Sequence, residues 1–124
     1  MKVKLGANII YVSDLPRAKD WYEKILGMKT LEYRPPEFLE TELEGSIFNI
    51  ETENPNRPEG LRDIRIGGRS SIEFLVEDVK AFIEEARSLG VPIVVEPVVP
   101  FWGGCSAVIA DPDGNEFVMY QPEL

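Results

Sequence analysis

The chain has 124 residues, 44% of them hydrophobic and 28% charged, a balance that suits one soluble globular domain able to bury a substantial core. Thirteen Lys and Arg against 22 Asp and Glu give a formal net charge of −9, so long-range forces disfavour nucleic acid and anionic membrane surfaces as partners. The single Cys leaves no internal disulfide, no segment approaches the ~20 apolar residues of a membrane span, and Met1 to Gly6 lacks a signal-like apolar stretch, so a cytoplasmic protein is expected.

Along the chain, Val3 to Val12 alternates as a strand. Asp14 can cap a helix over Leu15 to Ile25, with Pro16 in the first turn where a missing N–H costs little. Ala18, Trp21, Tyr22 and Ile25 recur at three- and four-residue spacing and form one apolar face, and Gly27 supplies a left-handed stop. Met28 to Tyr33, Phe38 to Leu43 and Ser46 to Thr52 read as three short strands, separated by Arg34-Pro35-Pro36 and by the hairpin signal Glu44-Gly45. Residues 53–68 are rich in Pro, Asn, Gly and Arg without a sustained period, and read as a connector that can double as a lid. Ser70 to Val76 is then a strand, and Asp78 caps a helix over Val79 to Ser88 that presents Val79, Phe82, Ile83, Ala86 and Leu89 on one face. Val91 to Glu96, Gly104 to Ala110 and Glu116 to Gln121 complete the strands, with Asp111-Pro112-Asp113-Gly114 as the turn before the last.

One pattern thus occurs twice: an apolar strand, an acidic cap, a helix and a Leu-Gly stop, at Leu26-Gly27 and again at Leu89-Gly90. The predicted class is α+β, a single domain over residues 1–124 built from two βαβββ modules, module one at about 3–52, the connector at 53–68 and module two at about 69–122. Strand parity sends Ile10, Val12, Ile72, Phe74 and Val76 beneath the helices. The same parity turns Ala7, Ile9, Tyr11, Ser71, Glu73 and Leu75 to the opposite faces, which can border a groove. Trp21, Phe48, Phe74, Phe82 and Phe117 are assigned to the core.

Val12-Ser13-Asp14-Leu15, Trp21-Tyr22, Leu26-Gly27, Val76-Glu77-Asp78-Val79, Trp102-Gly103 and Asp111-Pro112-Asp113-Gly114-Asn115, in this order, resemble the vicinal oxygen chelate superfamily, the group of glyoxalase I, bleomycin resistance proteins and extradiol dioxygenases. The resemblance covers about Leu5 to Tyr120. It implies paired modules whose curved sheets form a cavity, a homodimer, and in metal-dependent members a divalent ion bound by His and Glu from four strands. Carried over by position, those ligands fall at Ala7, Ser71, Val118 and Asn49 or, with a register shift, Glu51, so at least three of the four cannot ligate. Independently of any family, the chain contains no His, the commonest ligand for Zn, Ni and Fe, so neither a metal nor another cofactor is expected. A Ser-His-Asp arrangement is excluded, and Cys105 beside Gly103-Gly104 reads as a packing residue.

Glu73 lies between Ile72 and Phe74 in a strand expected to be half buried, where a carboxylate must be solvated, paired or used. Glu51 and Glu116 share the groove-facing parity and can instead pair with Arg62, Arg65 or Arg69. Tyr11, Trp102 and Tyr120 are the aromatic pocket candidates, and the apolar, turn-rich run Val98 to Gly104 suits a ligand cover or a subunit interface. The favoured reading is a metal-free protein that sequesters a small cationic or aromatic compound through Tyr11, Asn49, Glu51, Ser71, Glu73, Trp102, Glu116 and Tyr120. The alternative is a lyase, isomerase or dioxygenase-like enzyme, with Glu73 or Glu51 as general base and Tyr11 or Tyr120 as acid, or with a weakly bound divalent metal on the pocket carboxylates. A third reading, a cavity filled by side chains in a chain that merely dimerises, would leave Ser71, Glu73 and Asn49 closed into an apolar space.

Overall fold

The computed structural model describes residues 1–62 and 64–123, and the chain divides after Ile66 into two units. Unit one contains β1 (Asn8–Val12), α1 (Leu15–Leu26), β2 (Lys29–Arg34), β3 (Phe38–Leu43) and β4 (Ser46–Thr52), followed by a short 3-10 turn at Glu59–Leu61. Unit two contains β5 (Gly68–Leu75), α2 (Val79–Ser88), β6 (Ile93–Val98), β7 (Cys105–Ala110) and β8 (Asn115–Gln121). The sheets have the orders β1-β4-β3-β2 and β5-β8-β7-β6, each with one parallel pair, β1 with β4 and β5 with β8. This is the βαβββ plan twice over, an α+β fold as the repeat predicts.

Each helix begins and ends for local reasons. The Asp14 carboxylate accepts the Arg17 N–H at 3.0 Å, and Gly27, at φ 69°, returns its own N–H to the Tyr22 carbonyl. Asp78 accepts the Ala81 N–H in the same way, and the first free N–H of α2, at Val79, donates to the Gln121 side chain of β8. Helix α1 lays Leu15, Ala18 and Tyr22 on Ile10, Val12, Leu39, Phe48 and Ile50, all buried. Helix α2 lays Val79, Ile83 and Ala86 over a buried sheet face that includes Phe74, Ala107, Ile109, Phe117 and Met119. Full burial of one large apolar side chain is worth about 1.5–3 kcal/mol, so Leu15, Tyr22, Val79 and Ile83 anchor the helices to their sheets. Glu44 and Gly45, at φ 48° and 85°, form the tight β3–β4 hairpin that their sequence signals.

Several expected boundaries move. Val3 to Ala7 is not strand: Asn8 pairs with Phe48, only two residues beyond the start of β4, so the ladder runs out and Val3 and Leu5 stay exposed. The sixth strand starts at Ile93 and runs through Pro97 to Val98, which its position at a sheet edge permits. Strand β5 starts at Gly68 and is interrupted. Arg69 is registered with Glu116 and Glu73 with Val118, so four steps on β5 face two on β8, and Ser71 takes up the excess at φ 65°. Trp21 and Phe82 are half-buried, since each lies on the flank of its helix stripe, while Tyr22 and Ile83 take the centre. Trp21 packs edge-on against Tyr22 at 4.8 Å.

The outer side of α1 carries a pH-dependent contact. The Thr30 hydroxyl donates to Glu23 at 2.8 Å and the Lys19 ammonium lies 3.1 Å away, and these two contacts hold the Glu23 carboxyl below its ordinary range. A depressed carboxyl stabilises the folded chain above its unfolded pKa, and the contribution disappears as pH falls through the folded value. With both partners partly exposed the effect is under about 1 kcal/mol. Urea midpoints of the parent and of Glu23→Gln should therefore differ at pH 7 and converge as acid protonates the depressed carboxyl; a gap unchanged by acid would contradict the assignment.

Candidate functional site

Alternation along β1 and β4 leaves one face of the unit-one sheet uncovered by α1. Register places Ile9, Asn49, Glu40 and Glu32 in one row across β1, β4, β3 and β2, and Tyr11, Glu51, Phe38 and Arg34 in the next. Tyr11, Asn49 and Glu51, three of the residues singled out from the sequence, therefore share one face on neighbouring strands. Asn49 and Glu51 both point there, so no register shift is needed to choose between them.

The two rows differ in how their polar groups are satisfied. Glu51 forms an ion pair with Arg57 of the connector, whose guanidinium also lies 5.6 Å from the centre of the Tyr11 ring. Asn49 Oδ1 is buried and, among the described residues, has no hydrogen-bond partner. Neither Arg57 nor Glu40 was foreseen as part of this face. Glu40 was legible from the parity of β3 with β4, whereas Arg57 sits in an aperiodic segment where no spacing signals direction.

In unit two the open face carries Glu73 beside Val118 and Val108, and Leu75 beside Tyr120 and Ser106. Glu73 is exposed rather than half-buried, because β5 is a sheet edge, and it has no ion-pair or hydrogen-bond partner among the described residues. Glu116 pairs with Arg69 at 2.9 Å, one of the three arginines expected to compete for it. Ser71 sits in the β5 interruption at φ 65°, so alternation no longer assigns its side chain to the face of Glu73. The Tyr120 hydroxyl donates to the Gly103 carbonyl at 3.2 Å and so ties β8 to the β6–β7 loop. In that loop Phe101 and Trp102 stack edge to face at 4.7 Å and are 98% and 61% exposed. Cys105 is buried and free.

The Asp111 to Asn115 turn has a structural task. One Asp111 oxygen accepts the N–H groups of Asp113 and Asn115 at 2.9 and 2.8 Å, and the other accepts the Asn115 side-chain amide at 2.8 Å. Asn115 Oδ1 in turn accepts the Gly67 N–H at 2.8 Å, which fixes the start of β5. The most recognisable motif of the sequence thus closes the β7–β8 hairpin.

The resemblance implies a divalent ion, and the residues present do not fit one. Ala7 and Val118 have no donor atom and Glu51 is engaged by Arg57. Among the described residues no three His, Cys, Asp or Glu side chains converge to hold an ion. No helix in the described residues is long and apolar enough to cross a membrane.

A sequence model of the Glyoxalase/Bleomycin resistance protein/Dioxygenase superfamily matches residues 4–119. Among solved structures, a member of that superfamily from Sphaerobacter thermophilus DSM 20745 is 22% identical, with TM-score 0.78 over 97% of this chain and 98% of that one. A lactoylglutathione lyase from Agrobacterium tumefaciens is 17% identical, with TM-score 0.78 over 97% and 94%. TioX from Micromonospora sp. ML1 is 16% identical, with TM-score 0.76 over 94% and 98%. At these identities the likeness is one of fold. No curated protein matches the chain.

Proposed function

The chain belongs to the glyoxalase/bleomycin resistance protein/dioxygenase superfamily, and from that premise we propose that it is a metal-free binding protein that sequesters a small cationic or aromatic organic compound on the open face of the unit-one sheet. The observation that carries this reading is the buried Oδ1 of Asn49, which has no hydrogen-bond partner among the described residues. An acceptor left so costs about 1–3 kcal/mol, a cost that a ligand N–H placed over Asn49 removes. The groups around it select the sign of the ligand: Glu40 and Glu51 are its neighbours on the same face, and the Tyr11 ring adds a π surface. An anionic ligand would meet two carboxylates.

Unit two carries the exposed carboxylate of Glu73 and the Phe101–Trp102 pair as candidate ligand groups of its own. On this reading the protein works in the cytoplasm as a homodimer, the exposed apolar run Val98, Val99, Phe101 and Trp102 being covered between copies. Benzamidine, a flat aromatic cation, is the first probe. Calorimetric titration in the presence of EDTA should show saturable binding that Glu51→Gln weakens by about tenfold or more, equivalent to about 1.4 kcal/mol, with the folding of the variant checked by thermal unfolding. Binding that requires added metal, or that ignores Glu51→Gln, would overturn the proposal.

A further inference from the structure

We infer that Glu51 and Tyr11 form a guanidinium-type cation subsite which the chain's own Arg57 occupies until a cationic ligand displaces it; the inference deepens the binding reading above and rests on it. The geometry is that of a bound ligand. Arg57 comes from the connector, outside the sheet, yet its side chain is only 20% exposed and that of Glu51 only 15%. Its guanidinium pairs with the carboxylate while lying over the Tyr11 ring at 5.6 Å, the two contacts by which proteins recognise planar cations.

Local chemistry explains why the connector turns back. Asn54 Oδ1 accepts the Asn56 N–H at 2.8 Å and the Asn54 carbonyl accepts the Arg57 N–H at 3.0 Å, so residues 54–57 reverse the chain immediately after β4. Arg57 is thereby returned to Glu51, six positions earlier and on the strand end that leads into the connector. Ordinary surface ion pairs gain little; this one is mostly buried and also covers the ring of Tyr11, which β1 holds in register with Glu51.

An internal occupant lowers apparent affinity by the fraction of time the subsite is open. Removing it should therefore tighten binding of a cation that fits, and leave neutral molecules of the same shape unaffected. Methylguanidinium and methylurea are such a pair. They can be titrated into the parent, Arg57→Ala and Arg57→Ala with Glu51→Gln, with folding checked by thermal unfolding and Arg57→Gln as a second variant that keeps a polar side chain on the connector. Arg57→Ala or Arg57→Gln should bind methylguanidinium about tenfold more tightly than the parent, methylurea should show no such gain, and the added Glu51→Gln should abolish it. Equal affinity of parent and both Arg57 variants would overturn the inference, as would an equal gain for methylurea. Benzamidine separates the two levels. If the parent binds it but the Arg57 variants gain nothing, the subsite inference falls and the binding reading stands; if the variants gain methylguanidinium while no aromatic cation binds the parent, the reverse holds.

Discussion

Replacing Asp111 by Ala is expected to destabilise unit two by about 2–4 kcal/mol. The side chain is 2% exposed and its two oxygens accept three hydrogen bonds, from the Asp113 and Asn115 N–H groups and the Asn115 amide. Alanine removes the acceptor that all three donors share. The loss also travels, because Asn115 is the residue that holds the Gly67 N–H at the start of β5. Asp111→Asn keeps one oxygen but sets its amide against the amide of Asn115, so its cost should fall between parent and alanine. Urea unfolding monitored by circular dichroism checks the order; a loss below about 1 kcal/mol for Asp111→Ala would contradict this account of the motif.

Gly104→Ala is expected to cost about 2–5 kcal/mol, summing a left-handed backbone penalty of about 1–2 and an overpacking term of about 1–3. A Cβ at Gly104 would stand 2.3 Å from the Gln121 carbonyl oxygen and 2.8 Å from the Tyr120 hydroxyl, with φ at 76°. The nearer atom is backbone of β8, which cannot swing aside. Gly103 is the internal control, since it has φ 92° and open space around it, so Gly103→Ala should carry the backbone penalty alone. Thermal unfolding of the two variants should show Gly104→Ala clearly the less stable. Equal melting temperatures would mean that β8 does not press on this loop as described.

Strong local signals were legible in the sequence. Asp14 and Asp78 as caps, Gly27 as a stop, the Glu44-Gly45 hairpin and the three- and four-residue spacing of the helix stripes each depend on residues close in sequence, and the structure places them as expected. What failed depended on partners far away. Val3 to Ala7 alternates like a strand, yet a strand needs a ladder, and the start of β4 at Ser46 removes it. Alternation on β5 breaks at Ser71 because β8 offers two positions where β5 spends four, and nothing in Arg69-Ser70-Ser71-Ile72 announces that mismatch. Parity assigned Tyr11, Asn49 and Glu51 to one face, but only the fold shows that Asn49 Oδ1 lacks a partner among the described residues and that Arg57 returns from the connector to Glu51.

The central claim is that the unit-one face binds an organic cation through Asn49 without a metal, and the side-chain amide resonances of Asn49 report on it directly. They can be followed by 15N-edited NMR while aromatic cations, benzamidine first, are titrated in EDTA. A saturable shift of the Asn49 amide, displaced to about tenfold or more higher ligand concentration in Glu51→Gln, is the predicted result. An Asn49 amide that stays unmoved by every aromatic cation, or that moves only when a divalent metal is restored, would contradict it.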